Sequence, residues 1–222
     1  MQVTPQLLPL EINSEERRQI VLENTIRMLT NRKLLKESNL KENIKKIISF
    51  EPDDGIYKIQ IDDPYIYYTN TNDTQYIYVK YLMQKITSMS KTSNIGNFLL
   101  QYKSNPKIII VTGITSSANE NIVNEYPYSE IFLDSDLMID KVKHVSVPKH
   151  ELISQDQKEF QDFFKEYLIN KKQMPKIFVT DPIAKYYNAK VGMIFKITRI
   201  SETSGYATYY RLIIKGSVFT TN

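Results

Sequence analysis

The chain has 222 residues, 41% of them hydrophobic and 24% charged, with a formal net charge of +4. This balance excludes a disordered tail and supplies enough apolar material for one large domain or two modest ones. The absence of cysteine excludes a disulfide framework, thiolate zinc ribbons and cysteine hydrolases. No run approaches the roughly 20 apolar residues that cross a bilayer, and the first twenty residues lack a basic start followed by an apolar stretch, so no membrane or secretory role is expected. The charge is uneven. From His144 onward 12 Lys/Arg stand against 7 Asp/Glu, a surplus of five, which leaves −1 for the rest. A surplus this small suits a solvated basic face or an acidic protein partner as well as nucleic acid.

In chain order, Ser14 is placed to cap a helix whose dipole Glu15 and Glu16 complement, and Ile20, Ile26, Leu29 and Leu34 carry it over about 15–36. A second helix is expected at 40–49. The cluster Glu51-Pro52-Asp53-Asp54-Gly55 is a turn, after which 56–61 and 75–79 have the β-branched and aromatic makeup of strands that pair across a polar loop at 69–74. Residues 95–102 read as a helix, Lys107 to Val111 as a buried strand, 117–126 as a helix and 131–133 as a strand. Alternation of this kind predicts an α/β layer with at least one crossover, the loop after Val111 lying at a strand's carboxyl end.

The second region opens with Val147-Pro148-Lys149-His150. Ser154 and Gln157, three apart, suit a capping box for a helix ending near Tyr167, with Phe160, Phe163, Phe164 and Tyr167 on its apolar side. A short strand at 177–179, an Asp181 N-cap with Pro182 at the first helical position, and strands at 193–200 and 208–214 complete the chain. The expected class is therefore α+β / α/β: an N-terminal α/β domain over 1–142, a mixed sheet with flanking helices, and a small C-terminal α+β domain over 143–222.

The chemical inventory is sparse. Only two histidines exist, so the common multi-histidine metal sites are excluded. His144 reads as a solvated strand residue, and His150, after a proline and before a helix, as a ring that bonds backbone and fixes the chain's entry. The six glycines form no phosphate-binding loop, and no nucleophile elbow occurs. Pro52-Asp53 ahead of Lys80 weakly suggests a magnesium-dependent nuclease, but Tyr78 stands where that chemistry needs a carboxylate. Asp53 and Asp54, like Asp62 and Asp63, read as turn residues. The tyrosines Tyr57, Tyr76 and Tyr78 could stack on bases, but suit the edge of a packed core better. No catalytic residue, metal or cofactor is expected.

One stretch is distinctive. Met174-Pro175-Lys176-Ile177 is followed by Asp181-Pro182-Ile183-Ala184-Lys185-Tyr186-Tyr187, by Gly192, by Arg199-Ile200-Ser201-Glu202-Thr203-Ser204-Gly205 and by Tyr210-Arg211-Leu212. Together with Val147-Pro148-Lys149-His150 upstream, this pattern resembles the fifth subunit shared by eukaryotic nuclear RNA polymerases, whose C-terminal domain makes up the whole of its archaeal counterpart. The resemblance is specific over about residues 144–214. In the N-terminal region it rests on length, on element order and on Gly113-Ile114-Thr115-Ser116-Ser117-Ala118, which stands where relatives carry a Thr-Pro-Ser-Ala loop at the tip of a jaw. Ser116 and Ile200 replace two prolines of the family pattern, releasing a fixed φ at each place. These departures and the Asn-, Ile-, Lys- and Tyr-rich usage point to a divergent member, such as a large DNA virus with its own polymerase would carry.

The resemblance implies a non-catalytic subunit of a multisubunit DNA-directed RNA polymerase, present in one copy. It would dock on the largest subunit through the C-terminal domain and place the jaw near downstream duplex DNA, in the nucleus or in a cytoplasmic viral factory and virion. It singles out Pro148, His150, Pro175, Asp181, Pro182, Tyr186, Arg199, Ser201, Glu202, Thr203, Gly205 and Arg211 for assembly. Thr115, Ser116, Ser117 and Ala118 would face DNA, contacting it weakly and without reading sequence. Read for local structure instead, Thr115 or Ser116 caps a helix, and Ser201, Thr203 and Gly205 shape a turn. Arg199, Glu202 and Arg211, charged within or beside strands, are expected to be partner-facing or buried ionic groups. A free-standing nucleic-acid-binding module, predicting salt-sensitive DNA binding, and the nuclease remain as alternatives.

Overall fold

The computed structural model describes residues 12–50, 52, 54–62, 75–87, 94–155 and 158–216. The chain divides into two units, Met1–Ile139 and Asp140–Asn222. The expected mixture of helix and sheet is borne out in both.

In the N-terminal unit, helix α1 (Ser14–Asn31) starts one residue earlier than expected. Asn13 takes the N-cap position, and Ser14 is the first helical residue. The helix also stops five residues short of the expected end. Lys33 adopts φ 64°, and the Lys33 and Leu34 amides bond back to the Thr30 and Leu29 carbonyls. This is a Schellman ending with lysine in the position that glycine usually fills. Leu34 is the apolar residue after that stop and is fully buried.

Helix α2 (Leu40–Ser49) follows as expected. Strands β1 (Ile56–Gln60), β2 (Tyr76–Ile86), β3 (Lys107–Ile114) and β4 (Ser129–Leu133) form a sheet in that order. β1 and β2 are antiparallel, and β2–β3 and β3–β4 are parallel. Helices α3 (Asn94–Gln101) and α4 (Ser116–Glu125) supply the two crossovers. Successive side chains of a strand face opposite ways. Ile109, Val111 and Ile131 pack with Phe98 and Leu99 of α3 and Ala118 and Ile122 of α4. Ile108 and Glu130, partners in the β3–β4 register, therefore face the other side. There Glu130 meets Arg32, the residue that ends α1. A short helix α5 (Asp134–Leu137), not anticipated, follows β4 and fixes α1 through an Arg17–Asp134 ion pair at 2.8 Å.

Several expectations change in detail. β2 runs on to Ile86 through a register shift after Leu82, and β3 continues through Gly113 to Ile114, so the loop expected after Val111 is strand. Lys80, the lysine of the nuclease reading, points into the core and bonds the Asn94 carbonyl and side chain at the start of α3. That leaves it unable to organise a surface metal. Asp53, Asp63 and the loop 69–74 lie outside the described residues.

The C-terminal unit holds strands β5 (Lys149–Ile153), β6 (Lys176–Phe178), β7 (Ile194–Ser201) and β8 (Gly205–Ile214), in the order β5-β7-β8-β6. β5 and β8 each run antiparallel to β7, and β6 is parallel to β8. Helix α6 (Lys158–Tyr167) covers one face, where Phe160 and Phe163 pack with Ile153, Ile194, Leu212 and Met174. Gln157, half of the expected capping box, lies outside the described residues. The opposite face meets α7 (Pro182–Tyr186), whose following Tyr187 packs its ring on Phe195. His150 lies within β5 instead of preceding a helix, and His144 follows a 3₁₀ turn instead of sitting in a strand.

Candidate assembly interface

Asp181 closes the start of α7 by accepting the Ile183 amide at 2.8 Å, with Pro182 in the first turn, as read from the sequence. His150 stacks edge-on against Phe195 and lies 2.7 Å from the Pro148 carbonyl through Nδ1. A carbonyl only accepts, so Nδ1 carries the proton. Burial pushes the His150 pKa down, against the opposing pull of the Pro148 carbonyl and Asp181. The ring is thus favoured in its neutral form and fixes the approach to β5.

A groove of about 620 Å³ brings six of the expected assembly residues together: Pro148, His150, Pro175, Asp181, Arg199 and Arg211. They arrive from the start of β5, the entry to β6, the cap of α7, and β7 and β8, so positions 148 and 211 meet only because the sheet folds them onto one surface. Arg199 lays its guanidinium 3.9 Å from the Tyr209 ring centre, a cation–π contact that holds it flat against the sheet. Arg199, Glu202 and Arg211 are all exposed. That corrects the buried-ion alternative for these three.

The remaining expected residues lie elsewhere. Tyr186 is buried against Tyr187. Ser201, Glu202, Thr203 and Gly205 form the tip of the β7–β8 hairpin, where the Ser201 and Thr203 hydroxyls lie 3.3 Å apart and Gly205 turns at φ 72°. Beside that tip, Ile200 and Tyr206 face one another across the strands and are 82% and 74% exposed. The sequence hides this pair, because an apolar residue in a strand reads as core.

Gly192, before β7, adopts φ 92°, and a Cβ there would lie 2.0 Å from the Gln155 amide nitrogen. Gly192→Ala is expected to cost the C-terminal unit about 1–3 kcal/mol, chiefly through the backbone. Urea unfolding followed by amide exchange in β7 would measure it. An unchanged midpoint would mean the turn relaxes freely.

In the N-terminal unit, Thr115 is the N-cap residue of α4 by position, but its hydroxyl bonds the Thr87 carbonyl at 3.0 Å and caps nothing. Ser116 and Ser117 are exposed in the first turn. Ala118 is 2% exposed and packs in the core, so its methyl faces away from solvent and cannot touch DNA. Among the described residues there is no cluster of three or more possible metal ligands, and no helix is long and apolar enough to cross a membrane.

Residues 139–213 match the family model described as RNA polymerase Rpb5, C-terminal domain. A DNA-directed RNA polymerase subunit Rpo5 of Methanosarcina acetivorans is 51% identical over 72 residues, which cover 32% of this chain and 90% of that protein. The chain belongs to the RNA polymerase Rpb5 family. Similarity to another relative extends beyond the C-terminal unit. DNA-directed RNA polymerase subunit 5 of Acanthamoeba polyphaga mimivirus is 28% identical over 224 residues, covering 96% of this chain and all of that protein. The Caenorhabditis elegans DNA-directed RNA polymerases I, II, and III subunit RPABC1 is 34% identical over 109 residues, 48% of this chain and 51% of that protein. This Rpb5-family chain is a structural subunit of a DNA-directed RNA polymerase, and other polymerase subunits are its partners.

Proposed function

We propose that the chain docks on the largest polymerase subunit through the groove of its C-terminal unit, in one copy, and that its N-terminal unit is a jaw near downstream duplex DNA. The observation that carries the docking is the convergence of Pro148, His150, Pro175, Asp181, Arg199 and Arg211 on one open groove. Such a surface needs shape and charge and no reacting group. Support for the jaw is the exposed first turn of α4, where Ser116 and Ser117 stand beside helix amides. A helix start of this kind meets a phosphate without reading sequence, so the contact is weak and salt-sensitive. The setting is the nucleus or, given the full-length likeness to a viral subunit, a viral factory and virion.

Affinity purification of the tagged full chain from transcribing cells or virus particles tests the docking. The expected result is stoichiometric recovery with the two largest polymerase subunits, and recovery of the chain alone overturns it. A photo-crosslinker at Ser117 in the assembled polymerase tests the jaw. Crosslinks to duplex DNA ahead of the active centre are expected, and their absence from template-engaged complexes removes the DNA-facing role.

A further inference from the structure

Strand β8 is ten residues long, but its outer neighbour β6 pairs only with Leu212–Ile214. On the other side β7 pairs with β8 along its whole length. Among the described residues, nothing pairs with the outer edge of β8 before Leu212. The direction of its backbone groups follows from the bonds that are made. The Leu212 amide donates outward, to the Pro175 carbonyl at 2.8 Å, whereas the Ile213 amide donates inward, to Met193 at 2.9 Å. Backbone groups alternate sides along a strand, so the N–H and C=O of Tyr210 and Thr208 point outward like those of Leu212. Tyr206 shares that phase, but its amide is turned back to the Ser204 carbonyl.

An open edge with parallel N–H and C=O groups is a template for another strand, and natural sheets normally cover or blunt it. Here it is neither charged along its own outward positions nor interrupted by proline. It borders the groove, which Thr208 and Tyr210 line together with Arg199 and Arg211. Neither arginine has an ion-pair partner among the described residues, and the one carboxylate in the groove, on Asp181, already accepts the Ile183 amide. Exposed Tyr206 lies at the hairpin end of this edge, with exposed Ile200 opposite it in β7.

We propose that the open edge of β8 receives an extended, acidic segment of another polymerase subunit as a fifth strand of the sheet. Backbone bonds to Thr208 and Tyr210 supply the affinity, carboxylates opposite Arg199 and Arg211 set the register, and an apolar side chain covers Ile200 and Tyr206. A second copy of this chain is the poorer occupant, because it would bring another Arg199 and Arg211 to a groove that already carries two unneutralised cations. The inference rests on the proposed docking through this groove and specifies its form.

Hydrogen exchange on the isolated full chain and on the assembled polymerase reads the proposal directly. The Thr208 and Tyr210 amides are expected to exchange at least about tenfold more slowly in the polymerase, while Tyr209 and Arg211, bonded inward to β7, are protected in both. Side-chain docking alone would leave Thr208 and Tyr210 unchanged and would overturn the proposal. Protection of both amides in the isolated chain, rising with its concentration, would assign the edge to a second copy and also overturn it. The matching variant is Thr208→Pro, which removes an outward N–H and no bond within the sheet. It is expected to keep the thermal midpoint of the isolated chain and to lower recovery with the polymerase at least about tenfold. Arg199→Glu with Arg211→Glu should lower recovery similarly. If wild type co-purifies with the polymerase and Thr208→Pro does so equally well, strand addition fails while docking stands. If wild type does not co-purify, the docking reading itself fails.

Discussion

Glu130→Ala lowers the stability of the N-terminal unit by about 3–5 kcal/mol, the cost expected when one member of a buried ion pair is removed. The two terminal guanidinium nitrogens of Arg32, Nη1 and Nη2, donate to the two Glu130 carboxylate oxygens, at 3.0 and 2.8 Å, and the Arg32 side chain is fully buried with Glu130 13% exposed. Deleting the carboxylate leaves that guanidinium in the interior without its matched acceptor, beneath the Phe132 ring. The loss is as much geometric as electrostatic, because Arg32 closes α1 and Glu130 lies in β4, so this contact seats the helix on the sheet. Replacing both residues by methionine should restore much of the loss, since an apolar pair of similar size carries no desolvation penalty. Urea titration read by amide exchange in β4 would decide. A loss below about 1 kcal/mol would place the pair with ordinary surface bridges.

The second large effect depends on pH. Lys107 opens β3 with its side chain buried, and its ammonium donates to the Tyr102, Asn105 and Lys103 carbonyls at 2.8, 3.0 and 3.3 Å, just past the end of α3. Burial depresses its pKa from 10.5 to about 8. Below pH 8 the amine is protonated in both folded and unfolded chains, and the cost of burying the charge is fully present. Between about pH 8 and 10.5 the unfolded chain holds the proton more tightly, so stability rises with pH, by up to about 3 kcal/mol. Burial shifts Lys80 in the same direction. The Tyr81 and Tyr126 phenols, pushed up by burial, ionise first in the unfolded chain and so reduce stability above pH 10. The expected profile therefore climbs from pH 8 towards 10 and then turns down. Lys107→Met should flatten much of the climb. Parallel wild-type and Lys107→Met profiles would show that the three carbonyls hold the ammonium as well as water does.

Elements with a local chemical signal were legible in the sequence. Asp181-Pro182 marked a helix start, the apolar run from Lys107 marked a strand, and Leu40–Ser49 carried its own periodicity. The end of α1 was not legible, because Lys33 takes a left-handed turn without the glycine that usually announces one. Strand β5 was hidden because Lys149, His150 and Glu151 lack apolar alternation and are held by register with Ile197 and its neighbours in β7. Ala118 belonged to a motif that suggested an exposed loop, yet one helical step from Ser117 carries it into the core. For the candidate site, six of the twelve assembly residues named by the family pattern line one groove, and the other six lie outside it. It could not name the open edge of β8, since an unpaired edge is defined by the shortness of the neighbouring strand β6 and by no residue of its own.

The Arg32–Glu130 contact also bears on the order in which the chain can fold as it is synthesised. Its two ends lie 98 residues apart, so the N-terminal unit must wait for nearly its whole length before α1 can be locked onto the sheet, and the loop entropy of that closure falls on a late step. The β7–β8 hairpin closes across residues 201–205, so it can form as soon as both strands emerge. A chain released early would carry an unlatched first helix, whereas the β7–β8 hairpin is built from near neighbours and depends least on distant sequence.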